Sequence, residues 1–149
     1  MVEKFDQEID DPISGYTEAI QSNPNDAAAY LARGTAHLEA NAFDSAIEDF
    51  TKAIQLKPSD DSAYTSRGLA HYEKAEFDQA IANFTTAIEM NPSSAAAHCN
   101  LGWTYEAIGD EQHAIAHYRK ALELDASLDA ARDNLKLLGA TLKQPPRGR

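Results

Sequence analysis

The chain has 149 residues, enough for one domain with a sizeable core and too few to expect two. A net charge of −11 and a pI near 4.7 argue against nucleic acid and anionic membrane surfaces, both of which reward clustered Lys and Arg. Abundant Ala, one Val, and few Gly and Pro disfavour a sheet and suit closely packed helices.

The first 24 residues carry six acids and one base, and MVEKFDQEIDDP has no basic stretch leading into an apolar one, so no signal peptide is expected. Tyr16, Ala19, Ile20 and Pro24 match Phe50, Ala53, Ile54 and Pro58 at a shift of 34 residues. Residues 12–23 therefore read as the second helix of a repeat whose first helix is largely missing, with Pro12 tolerated in the first turn. Val2, Phe5 and Ile9 form a short apolar stripe. Either it folds back over the exposed end, or a longer parent sequence was truncated or has diverged here.

Residues 27–60 laid over 61–94 agree at 17 of 34 positions without a gap. Tyr30, Arg33, Gly34, His37, Phe43, Ala46, Phe50, Ala53 and Pro58 recur as Tyr64, Arg67, Gly68, His71, Phe77, Ala80, Phe84, Ala87 and Pro92. Residues 95–128 continue the series with His98, Leu101, Gly102, Tyr105, Ala114, Tyr118 and Ala121, and Ala126 replaces the Pro. Each copy holds two amphipathic stretches separated by a short polar break such as Lys74–Glu76, which dictates antiparallel neighbours. Pro58 and Pro92 end second helices, and Asp60 and Ser93 or Ser94 can cap the helices that follow. Gly34, Gly68 and Gly102 sit mid-helix at a cost of about 1 kcal/mol each relative to Ala. Close approach of the paired helix is the natural compensation, with Ala46, Ala80 and Ala114 as the expected small partners.

This pattern of aromatic, large residue, Gly, aromatic, then Ala, aromatic and Pro resembles the tetratricopeptide repeat family. The third copy matches the first-helix pattern most literally, with Leu101, Gly102 and Tyr105; the first two carry Arg33 and Arg67 where Leu is usual, and His37 and His71 where Tyr is usual. The resemblance implies an all-α fold: a right-handed superhelix, or α–α solenoid, of three helical hairpins (27–60, 61–94 and 95–128). An N-terminal segment with a partial repeat (1–24) precedes them, and a capping helix follows over 129–142, where Lys136 takes the expected Gly site. The basic, Pro/Gly-rich tail 143–149 is expected to be disordered.

No nucleophile-base set, phosphate-cradling Gly loop or paired-acid arrangement is present, so neither catalysis nor a cofactor is expected. His113 and His117 are four apart on one helix, a spacing that can chelate a metal, but a third ligand is lacking and no metal site is assigned. The single cysteine, Cys99, fits a reducing compartment, and a cytoplasmic location is expected.

In the family, first helices line a concave channel that holds a peptide. Carried onto this sequence, the lining comprises Leu31, Thr35 and Leu38, then Thr65, Leu69, Tyr72 and Glu73, then Cys99, Asn100, Trp103 and Glu106, and finally Asp133, Asn134 and Leu137. The candidate peptide-binding residues are Leu38, Thr65, Leu69, Tyr72, Glu73, Asn100, Trp103, Glu106 and Asn134. Trp103, the only Trp, faces either the groove as an anchor or the cap helix. Asn100 and Asn134, 34 apart, project in parallel and can clamp a peptide backbone. The lining has no Lys or Arg, which disfavours a carboxylate clamp and favours a protein or peptide ligand with apolar anchors and some positive charge. The alternative is a homo-oligomer joined through the incomplete N-terminal repeat and the cap.

Overall fold

The computed structural model describes residues 11–139. They form eight α-helices and, among the described residues, no strand: α1 (Pro12–Ser22), α2 (Ala27–Glu39), α3 (Phe43–Leu56), α4 (Asp61–Glu73), α5 (Phe77–Met90), α6 (Ala95–Ala107), α7 (Glu111–Leu124) and α8 (Asp129–Leu137). The stripe of Val2, Phe5 and Ile9, residues 140–142 of the expected cap and the tail 143–149 lie outside the described residues.

Helices α2/α3, α4/α5 and α6/α7 pair as hairpins, and each hairpin stacks on the next, with α1 against α2 and α8 against α7. The all-α solenoid expected from the repeats is the fold observed. Local chemistry sets the helix ends. Asp26, Asp60 and Ser94 accept hydrogen bonds from the backbone N–H groups of Ala29, Ser62 and Ala97, at 3.1, 3.1 and 3.2 Å. Inside each hairpin the first helix stops in the same manner. Asn41, Ala75 and Gly109, spaced by 34, all take positive φ (58°, 58° and 81°). The following N–H groups of Ala42, Glu76 and Asp110 donate back to the carbonyls of His37, His71 and Tyr105 at 2.8–2.9 Å, a Schellman closure.

The mid-helix glycines correct one expectation. A Cβ on Gly34 would lie 2.7 Å from the Phe50 ring, one on Gly68 2.7 Å from Phe84, and one on Gly102 2.5 Å from Tyr118. The close partner is thus the buried aromatic of the second helix rather than Ala46, Ala80 or Ala114. Those alanines are themselves fully buried and, with the rings, form the hairpin cores.

The arginines that replace leucine do more than pack. The Arg33 guanidinium donates to both Asp49 carboxylate oxygens at 2.8 Å and to Thr17 Oγ1 at 3.2 Å. Arg67 repeats the arrangement with Asn83 Oδ1 at 2.8 Å and Thr51 Oγ1 at 3.1 Å. Each arginine thereby ties its own hairpin to the preceding helix, and each also lies over a tyrosine, Tyr30 or Tyr64. In the third copy Leu101 takes this place and packs with Ala80 and Phe84 instead.

Candidate functional site

First helices α2, α4, α6 and α8 carry the nine candidate residues. Leu38 is half-buried against Ala46, Phe50 and Ala70. Thr65 turns its hydroxyl inward along its own helix, donating to the Asp61 carbonyl at 3.1 Å. Leu69 and Tyr72 pack on Ala80, Phe84 and Leu101, and Tyr72 meets Phe77 edge-on with 5.7 Å between ring centroids. Partial burial raises the Tyr72 hydroxyl pKa, and neighbouring Glu73 and Glu106 reinforce the shift by disfavouring a phenolate. Glu73 itself is exposed.

Tyr72, Trp103, Glu106 and Asn134 converge with Ala107 on one cleft of about 320 Å³. Leu38, Thr65, Leu69, Glu73 and Asn100 do not line that cleft. Trp103 plays both parts weighed for it. It is half-buried, packs on the cluster of Cys99, Tyr118, Ala131 and Leu135 that joins α6, α7 and α8, and still lines the cleft. Asn100 is only 7% exposed. Its carbonyl accepts from the buried Thr104 hydroxyl at 2.7 Å.

One residue central to the site did not stand out in the sequence. Tyr118 fills the hairpin core as Phe50 and Phe84 do, yet its hydroxyl donates to Glu106 at 2.6 Å and accepts from the Asn134 amide at 3.2 Å. Burial, then the Glu106 carboxylate, pushes the Tyr118 pKa far up, so the hydroxyl stays a donor. The signal was the change from Phe to Tyr at a core position: an added hydroxyl there needs partners, and two groove residues supply them.

The histidines form a separate cluster. His98 and His117 approach with Nδ1 atoms 3.2 Å apart and ring centroids 5.4 Å apart, so the rings meet nearly head-on and share an N–H···N hydrogen bond. One Nδ1 donates and the other accepts, so the two nitrogens face each other instead of converging on a third point. His113 pairs instead with Asp110 at 2.7 Å, so the sequence pair His113/His117 does not come together as chelating partners. Among the described residues no group of three or more His, Cys, Asp or Glu is placed to hold a metal. Cys99 is buried, and burial raises its thiol pKa, away from the reactive thiolate. No described helix is long and apolar enough to cross a membrane.

With hairpin, glycine-ring contact and concave helix row in place, the class is a helical-repeat solenoid. Family models described as "Tetratricopeptide repeat" and "TPR repeat" match residues 65–131 and 38–75 respectively. The chain belongs to the tetratricopeptide repeat family. A crystal structure of MamA is similar at 26% identity and a TM-score of 0.79, with 85% of this chain and 74% of that one covered. The TPR domain of Arabidopsis OM64 is similar at 25% identity and 0.75, covering 76% and 93%. The first TPR domain of Spaghetti (RPAP3), bound to the HSP90 peptide SRMEEVD, shares the fold at 23% identity and 0.74, covering 76% and 90%. No curated protein matches the chain.

Proposed function

We propose that this protein is an interaction module that holds a peptide or protein segment along the concave face of α2, α4, α6 and α8. The observation that carries the reading is the cleft where Trp103 and Tyr72 present ring surface beside Glu106 and Asn134. An aromatic pair at a concave site supplies apolar anchoring, and the carboxylate and amide beside it supply direction. The side-chain amide of Asn100, on the same helix as Trp103, suits a peptide backbone, which offers one donor and one acceptor per residue. Glu73 and Glu106 favour a ligand with positive charge. They set this groove apart from the Spaghetti domain, whose bound peptide SRMEEVD carries three acids in its last four residues.

Trp103 is the only Trp in the chain, so its emission reports directly on the groove. Peptides selected from a random library against the folded protein are expected to shift Trp103 fluorescence on binding. Asn100→Ala and Glu73→Lys are expected to weaken them at least tenfold with the helical signal intact. Selected peptides that leave the emission unchanged and bind both variants normally would place the site elsewhere.

The second reading, end-to-end assembly, draws on Leu137, which is 81% exposed on α8. An in-register joint would make α8 the first helix and the next copy's α1 the second. Lys136 then stands at the glycine place, where even a Cβ falls within 2.5–2.7 Å of the facing ring in the three complete hairpins. That clash weighs against the joint. A molar mass by light scattering that stays monomeric across concentration excludes it.

A further inference from the structure

Three successive first helices meet at the cleft of about 320 Å³: α4 supplies Tyr72, α6 supplies Trp103 and Glu106, and α8 supplies Asn134. All four are half-buried, so each keeps a surface accessible from outside. Beneath them Tyr118 of α7 sorts donors from acceptors. Its pKa is pushed far up, so the hydroxyl keeps its proton, and it donates to Glu106 Oε2 at 2.6 Å. With that proton committed, the Tyr118 oxygen accepts from its other partner, the Asn134 Nδ2 group at 3.2 Å. The Asn134 amide is thereby oriented: Nδ2 is held toward Tyr118, and Oδ1, on the other branch, is left to accept. Glu106 keeps acceptor capacity too, because a carboxylate has about four lone-pair sites and Tyr118 engages one. The cleft therefore sets two oriented acceptors beside two aromatic rings, and none of its lining residues is basic.

We propose that this cleft is the subsite for one arginine side chain of the partner peptide, with the guanidinium stacked on Trp103 and donating to Glu106 and Asn134 Oδ1, a role that rests on the concave face being the binding surface. A guanidinium carries five N–H donors and no acceptor, which complements such a lining. Its plane lies well on aromatic faces, and it sheds hydration more readily than an ammonium. Its fork of N–H groups also reaches two acceptors at once, which the point charge of lysine does less well. The fold makes the same pairing internally, with Arg33 over Tyr30 and Arg67 over Tyr64 at 5.8 and 5.6 Å from the ring centroids.

The repeat register allows one such subsite. One repeat earlier, Tyr72 stands where Glu106 does, Leu69 where Trp103 does and Phe84 where Tyr118 does. Neither the carboxylate nor the orienting hydroxyl recurs there. A bound segment is thus read for arginine at a single point, beside α8.

The probes are peptides selected from the random library on the full chain, each remade with its arginine replaced by citrulline or lysine. Citrulline keeps the size and shape of arginine and removes the charge. It is expected to weaken binding about tenfold, followed by Trp103 emission, and lysine is expected to bind more weakly than arginine. Glu106→Gln, which keeps an acceptor for Tyr118, should abolish the preference for arginine over citrulline. Glu111→Gln, the same charge change at an exposed site on α7, should preserve it. Peptides that shift Trp103 emission yet lack arginine, or bind equally well with citrulline, overturn the arginine subsite and leave the concave-face reading standing. A preference for arginine that survives Glu106→Gln overturns it as well. Tighter binding with lysine gives the cleft to an ammonium and also overturns it. Peptides that leave Trp103 emission unchanged overturn both readings.

Discussion

Arg33 clasps Asp49 through two hydrogen bonds of 2.8 Å, and Arg67, one repeat later, meets the neutral Asn83 in its place. The hydrogen bond that Arg33 donates to Asp49 raises the Arg33 pKa, whereas burial lowers that of Arg67, which lacks a carboxylate partner among the described residues. Asp49→Asn should therefore cost about 1–2 kcal/mol, since it leaves a half-buried guanidinium without its counter-charge. Asn83→Asp should gain up to about 1 kcal/mol, partly offset by losing the Asn83 amide bond to the Gln79 carbonyl. Urea unfolding of both variants checks the opposite signs, and added salt should shrink each effect.

Gly68→Ala improves helix propensity by about 1 kcal/mol, and in isolation that would stabilise. The Cβ, however, would sit 2.7 Å from the Phe84 ring, which is fully buried and cannot retreat. Overpacking of this kind costs about 1–3 kcal/mol, so a net loss is expected in thermal melts.

Ala75 takes φ 58°, a conformation that glycine adopts at equal cost but alanine does not. Ala75→Gly is expected to stabilise by about 0.5–1 kcal/mol, and Gly109→Ala to destabilise by a similar or larger amount. No atom lies within 4 Å of a Cβ at Gly109, so any loss there reports backbone conformation alone.

The His98–His117 pair should make stability fall with acidity. Burial lowers both pKa values; Lys120 adds to the shift at His98, and His98 and His113 add to it at His117. A histidine with a depressed folded pKa binds fewer protons folded than unfolded just below about pH 6.5, so stability is full above that value and drains as pH falls. Denaturation midpoints measured at pH 7.5 and 5.5 are expected to diverge, and His98→Gln should narrow the gap.

Tyr118→Phe removes one hydroxyl and leaves Glu106 and Asn134 without their shared partner. A stability loss of about 1 kcal/mol is expected. Peptide binding in the groove should weaken further than that loss explains, because the two side chains facing the cleft lose their fixed positions. Titrations followed by Trp103 emission, read beside melting curves, separate the two effects.

The fold was legible because the repeat states it three times: the period, the mid-helix glycines and the two amphipathic stretches agree at every copy. The site was legible only as a row of helix positions. Sequence register says which residues leave the hairpin core, but not that Thr65 bonds its own helix or that Trp103 serves cleft and cap at once. The departures from the family pattern were the least transparent. Arg33 and Arg67 looked like leucine substitutes with long stems, and their latches to Thr17 and Thr51 depend on contacts 16 residues away in each direction. The glycine partner was misassigned for a similar reason, since spacing identifies a helix face but not which side chain reaches across it.

The arginine latches stop at the second hairpin. Two junctions of the solenoid are held by hydrogen bonds across the boundary, whereas the third depends on Leu101 buried with Ala80 and Phe84. Apolar burial weakens on cooling in a way that hydrogen bonds do not. Chilling should therefore loosen the molecule from its C-terminal hairpin while the N-terminal half stays stitched.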